Sequence, residues 1–224
     1  MSLHLVVKTA VRDTLGPVLR SDGYKGSSPT WRKTNAAGDV AIVNFQNSSW
    51  NTSEKIACVI NIAMAPEPWL RWWRERQGDR MMKTVGESLG LYRDRLHPSG
   101  SPPIADVWWR FEDEASAVDA VADMAVQWEA SGRDVLDALL DRDVLFRHLD
   151  DGDLGHIKRR SGSYGIFFAR ARALLPMDQG PSEALERSLE QAREDLLQKH
   201  EAYADHFESW VRQQASAAAI FSRG

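Results

Sequence analysis

A mainly antiparallel α+β fold, with a four-stranded sheet packed by helices and followed by a helical C-terminal extension, is predicted by three features of the sequence. Apolar residues alternate with period two in Val40–Gln46, Lys55–Met64 and Ile104–Glu112, the mark of strands that bury one face. The connections between the early strands are too short for parallel crossovers, so those strands pair antiparallel. Elsewhere the apolar spacing changes to three and four residues, over Leu3–Leu19 and again from Ala115 onward, which is the period of a helix.

Taken in order, Leu3, Val6, Val7, Ala10, Val11 and Leu15 form the stripe of a first helix, which Gly16-Pro17 interrupts near its end. Trp31–Thr34 is a short strand, joined to Val40–Gln46 by the turn Asn35–Asp39, and Asn47–Glu54 leads to the third strand. Pro66 and Pro68 close this sheet segment, after which Trp69–Gln77 and Arg80–Leu89 read as two short helices around Gly78-Asp79. Pro98–Pro103 is a loop, and Ile104–Glu112 is the fourth strand. The stripe Val118, Val121, Ala125, Trp128, Val135 and Leu139 marks a helix that Ser131-Gly132 bends or divides. A short helix over Asp141–Leu149 follows, stopped at Asp150–Asp153.

Ser163–Leu175 and Pro181–Gln214 then read as a helical hairpin joined by Pro176–Gly180, with Leu185, Leu189, Ala192, Leu196, Tyr203, Phe207 and Trp210 on one stripe. The expected organisation is an α+β domain over residues 1–150 and a helical extension over 151–224, docked on the domain or on a partner.

The 224 residues are enough to bury a core without disulfides, and the single cysteine, Cys58, has no internal partner. It sits in an alternating apolar run and reads as a buried small residue. With no basic leader before a long apolar stretch and no membrane-spanning run, the expectation is a cytoplasmic protein. A net charge of -4 disfavours broad binding to nucleic-acid phosphates.

Several motifs occur in a consistent order: Gly23-Tyr24-Lys25 after the first helix, Val43–Ser48, Val59–Ile62, Leu91–Leu96 before the Pro-rich loop, and Trp108-Trp109 before an acidic helix start. Over approximately residues 1–145 the chain resembles the bacterial family called domain of unknown function 4304 (DUF4304). The resemblance implies a mixed helix and sheet domain of bacterial type and supplies no reaction. Compared with the family, the segment between Ala65 and Leu91 is long and Trp-rich.

Strand alternation places Asn44, Gln46, Asn61, Trp108, Arg110 and Glu112 on the side of the sheet away from the core, with Arg93 and Arg95 at its rim. Amides, a fixed cation and a carboxylate suit recognition of a polar ligand or a peptide edge, although an ordinary solvated sheet face has the same appearance. A second candidate is the helix WLRWWRER, in which Trp72 and Arg74 belong to a cluster of residue types enriched at protein interfaces. As packing, the same tryptophans would cover the sheet.

Catalytic and metal motifs are missing from the sequence pattern. His200 and His206 lie six apart and on different sides of a helix, Asp150–Asp153 has too few ligands for a calcium loop, and no phosphate-binding glycine loop or nucleophile elbow occurs. No cofactor and no metal are expected. The leading expectation is a non-enzymatic protein-binding module, of the kind an immunity or accessory factor would be. The alternative is an enzyme or small-ligand receptor that takes a polar or anionic ligand on the sheet face. The expected partners are another protein and, through the C-terminal helices, a second copy of the chain, with no membrane and no nucleic acid.

Overall fold

The structure is a computed structural model that describes residues 2–78, 84–102, 105–158, 165–197 and 201–221, the side chains of 195–197 and 221 excepted. It is α+β, and the chain divides into two compact units: Met1–Ala65 with Thr84–Asp141, and Pro66–Lys83 with Arg142–Gly224. The division differs from a cut near residue 150, because the Trp-rich segment inserted after Ala65 belongs with the C-terminal helices.

In the first unit, α1 (Leu3–Ala10) passes through a π-helical turn at Val11–Leu15 into α2 (Gly16–Ser21). Gly16-Pro17 therefore does not end the helix. Pro17 has no N–H to donate back along the helix, and the chain accommodates this by widening one turn. Val6, Val7, Ala10, Val11, Leu15 and Leu19 are all buried, as the stripe requires.

Five strands follow one another in the sheet: β1 (Lys25–Ser27), β2 (Thr30–Thr34), β3 (Val40–Asn47), β4 (Ile56–Ala65) and β5 (Tyr92–Leu96). A sixth, β6 (Trp109–Phe111), also pairs with β4, and every pairing is antiparallel. Since β5 pairs with Ile60–Met64 and β6 with Ile56–Cys58, the two lie end to end along one edge of β4. β1 and β5 are additions to the predicted strands. The fourth predicted strand is shorter than Ile104–Glu112, whose first residue lies outside the described residues.

One face of the sheet carries Trp31, Val43, Phe45, Cys58, Ile60, Ile62, Trp109 and Phe111, all buried. Against this core lies α4 (Glu114–Gln127), which a capping box between Asp113 and Ser116 starts and which packs on α1 and β6. A π-helical turn at Trp128–Gly132 leads to α5 (Arg133–Leu139). A Cβ on Gly132 would come within 2.8 Å of the Trp128 ring and 3.0 Å of Leu96, so only glycine fits. The extra residue in that turn shifts the phase of the stripe, and Leu136 rather than Val135 is fully buried. Val118 is corrected too: it is exposed, and Ala117, Val121 and Met124 line the core instead. Cys58 is buried, and desolvation pushes its thiol up to about 12.

The second unit contains α3 (Glu67–Gln77), α6 (Arg142–Asp151), the hairpin β7 (Asp153–Leu154) and β8 (Ile157–Lys158), α7 (Gly165–Leu174), α8 (Glu183–Leu197) and α9 (Glu201–Phe221). The expected long helix over Pro181–Gln214 is thus two helices. Arg193 pairs with Asp205 and Glu208 while Arg212 reaches back to Glu186, so α8 and α9 run antiparallel. Leu185, Leu189, Ala192 and Phe207 are buried as expected, whereas the side chain of Leu196 lies outside the described residues.

Candidate functional site

The face of the sheet opposite the core is built from side chains that the register brings into rows. Thr30 pairs with Asn44, Asn44 with Asn61, and Asn61 with Arg95, which makes one rank across four strands. These residues are hydrogen-bonded in sequence. Asn44 donates through Nδ2 to Thr30 Oγ1 at 3.0 Å, Asn61 Nδ2 donates to Asn44 Oδ1 at 3.3 Å, and Arg95 Nε donates to Asn61 Oδ1 at 3.1 Å. Asn61 Nδ2 also donates to Gln46 Oε1 at 2.7 Å. Asn61 is only 5% exposed, and both ends of its amide are satisfied, as a buried polar group demands.

Beyond Arg95 the ladder continues into the loop that precedes β6. Arg95 Nη1 donates to Asp106 Oδ2 at 2.6 Å, and its guanidinium lies 5.4 Å from the ring centroid of Trp108. Trp108 Nε1 donates to the same carboxylate oxygen at 3.4 Å. Burial works to raise the Asp106 carboxyl, yet the bonds from Arg95 and Trp108 and the nearby charges of Arg95 and His97 hold it below its ordinary value.

The loop itself is fixed from the core side by Asp123 on α4. That carboxylate accepts the Ser99 N–H at 3.0 Å, the Ser99 hydroxyl, and Trp109 Nε1 at 2.7 Å. Both ends of the loop are thereby tied to one helix. Here too burial opposes ionisation, and the donors Ser99, Trp109 and Gln127 outweigh it and lower the carboxyl.

Where β3 leaves the sheet, two open clefts of ≈ 430 and ≈ 420 Å³ adjoin at Trp50 and share Ser48, Trp50, Ala57 and Arg110. They form one furrow, which Gln46 and Trp108 line on one side and Asn51, Lys55 and Glu112 on the other. Trp50 is 90% exposed. Its position follows from the β3–β4 turn, in which Trp50 N donates to Ser48 Oγ at 3.1 Å and Ala57 N donates to Asn51 Oδ1 at 2.8 Å.

Of the sequence candidates, Asn44, Gln46, Asn61, Arg95, Trp108 and Arg110 come together on this face, and Glu112 stands at the far end of the furrow in an ion pair with Lys55 at 3.1 Å. Arg93 does not join them. It lies where the short 3₁₀ turn Glu87–Leu89 and Gly90 cover the sheet: a Cβ on Gly90 would meet Ala63 at 2.7 Å and the Arg93 side chain at 3.1 Å. This turn is all the helix that the described part of Arg80–Leu89 contains, residues 79–83 lying outside them.

Trp72 and Arg74 lie apart from this face, in the second unit, and the reading of Trp72 is corrected. Trp72 is 1% exposed and packs with ring centroids 4.9 Å from Phe207 and 5.1 Å from Trp210, so it is a core residue and no docking surface. Arg74 pairs with Glu67 at 3.3 Å on its own helix. Trp50 and Asp123 were missed: nothing in the pattern separates an exposed turn tryptophan from a buried one, and an aspartate at a half-buried helix position looks like solvated surface.

Among the described residues no group of His, Cys, Asp and Glu could hold a metal ion, and no helix is long and apolar enough to cross a membrane. His200 lies outside the described residues, and His206 stands 3.7 Å from Glu75. Fold and site together define an α+β protein whose antiparallel sheet presents an ordered polar rank beside a tryptophan-walled furrow. Residues 15–138, more than half of the chain, match the family described as Domain of unknown function (DUF4304), and the chain belongs to that family. No curated protein and no solved structure matches it.

Proposed function

We propose that the protein is a non-enzymatic protein-binding module of the bacterial cytoplasm, in the role of an immunity or accessory factor, and that it docks its partner on the furrow around Trp50, Trp108 and Arg110. The observation that carries this reading is the Trp50 indole, held by a hydrogen-bonded turn beside an open furrow while 90% exposed. Burying such a side chain on a partner removes a large apolar area from water, and Trp and Arg supply a disproportionate share of binding energy at protein interfaces. A furrow open to solvent fits a protein surface better than it fits a small substrate that must be enclosed. A single buried cysteine agrees with a reducing compartment.

The test is affinity capture from a bacterial lysate by the full chain, followed by binding measurements on the purified partner. Trp50→Ala should weaken that complex about 30-fold or more, roughly 2 kcal/mol. An exposed control in the π-helical turn after α1, Arg12→Ala, should leave it unchanged. Equal binding by Trp50→Ala and the parent chain would move the docking surface elsewhere.

A further inference from the structure

Resting on that reading, we infer that the furrow takes an extended acidic segment of the partner, with an Asp or Glu carboxylate on Arg110 and apolar side chains against Trp50 and Trp108. The direction of the hydrogen bonds leads there. Gln46 has its amide oxygen turned inward to accept from Asn61 at 2.7 Å, which leaves its Nε2 for the furrow.

Arg110 is exposed, and no carboxylate pairs with it among the described residues. The neighbouring charges are committed elsewhere, Lys55 to Glu112 at 3.1 Å and Arg95 to Asp106 at 2.6 Å. The lining therefore presents N–H groups of Gln46 and Arg110, and its carboxylate Glu112 is already paired. What is missing is an acceptor with negative charge, which the occupant must bring.

Length follows from shape. The two clefts adjoin at Trp50 and Arg110 and hold ≈ 430 and ≈ 420 Å³, so a single small anion would fill a fraction of them, whereas an extended chain can set one carboxylate on Arg110 and lay side chains on the indoles. A nucleic-acid strand is the other anionic polymer, but it needs a track of cations, and one uncommitted arginine on a chain of net charge -4 does not provide one.

Selection from a random library of short peptides by the full chain tests the assignment, with Arg110→Gln, Arg110→Glu and Trp50→Ala alongside. All three variants change exposed side chains, and circular dichroism confirms that each folds. The parent chain should select sequences enriched in Asp and Glu. Arg110→Gln should weaken a selected peptide roughly 10- to 100-fold, as expected for a hydrogen bond to a charged group, and Arg110→Glu should turn the preference towards Lys and Arg. Selected peptides that depend on Trp50 but show neither acidic enrichment nor sensitivity to Arg110→Gln would overturn the acidic assignment and leave the protein-binding reading standing. Selection of no peptide, or tighter binding of a single-stranded oligonucleotide than of any peptide, would overturn both.

Discussion

Asn61 sets the chemistry of the polar face, because it is the one buried member of the rank and makes three side-chain hydrogen bonds to residues on the flanking strands. Truncating it strands Arg95 Nε and the carbonyl oxygens of Asn44 and Gln46. Asn61→Ala should therefore cost about 1–2 kcal/mol, the range for losing hydrogen bonds whose remaining partners can turn to water, read as a lower urea midpoint at unchanged slope. It should also release Gln46, whose amide would no longer be held with its nitrogen outward. Trp50 is the opposite case. With almost no contacts to lose, Trp50→Ala should change stability by no more than about 0.5 kcal/mol in the same measurement. A large loss there would mean that the indole serves the fold instead of a partner.

At the scale of elements, the loop between β5 and β6 is the part whose position depends on a single carboxylate. Asp123 holds Ser99 at one end and Trp109 at the other, and the loop between them delivers Asp106 and Trp108 to the sheet face. The carboxyl is lowered in the folded state, so its contribution to stability is complete above its ordinary value near 3.8 and is lost as pH falls through the lower folded value. Asp123→Asn should destabilise the protein by about 1–3 kcal/mol at neutral pH, since an amide nitrogen replaces an acceptor that several donors need. The difference between parent and variant should begin to shrink as pH falls below the ordinary value near 3.8, where the unfolded parent takes up its proton, and close once the lower folded value is passed. A gap that stayed constant through that range would remove Asp123 from the anchor. The same elements show what a sequence can reveal. β3 and β4 were legible because Val43 and Phe45 flank Asn44, Ile60 and Ile62 flank Asn61, and both segments are rich in β-branched residues. β5 was not, because the inward position between Tyr92 and Leu96 is held by Asp94, and β1 has no apolar residue at all. The rank of Asn44, Asn61 and Arg95 could be assembled from face parity alone, whereas Asp123 depends on a loop conformation that carries no period.

For the whole molecule, the decisive fact is that the WLRWW segment is an insertion between paired strands. Met64 at the end of β4 pairs with Tyr92 at the start of β5, and Leu91 N donates to Met64 O at 2.9 Å, so the chain leaves the sheet and returns to the same place. Sequence order placed this helix with the sheet, and its tryptophans read first as a cover for the strands, with a partner-binding surface as the alternative. Packing resolves the ambiguity: Trp69 lies 4.8 Å from Phe167, and Trp72 is enclosed by Tyr203, Phe207 and Trp210, all in the C-terminal part of the chain. Periodicity could not show this, because an apolar stripe specifies that a face is buried and leaves its partner open. Removing residues 142–224 alone should then uncover Trp69 and Trp72 and give an aggregating chain. Removing them together with 66–83, with a short Gly/Ser bridge from Ala65 to Thr84, should restore a soluble domain that unfolds cooperatively and retains the furrow. Circular dichroism, size-exclusion chromatography and urea unfolding of the two shortened chains distinguish these outcomes. Two equally insoluble products would mean that the sheet domain cannot stand without the helical unit, and equal solubility would mean that the inserted helix does not depend on the C-terminal residues for its burial.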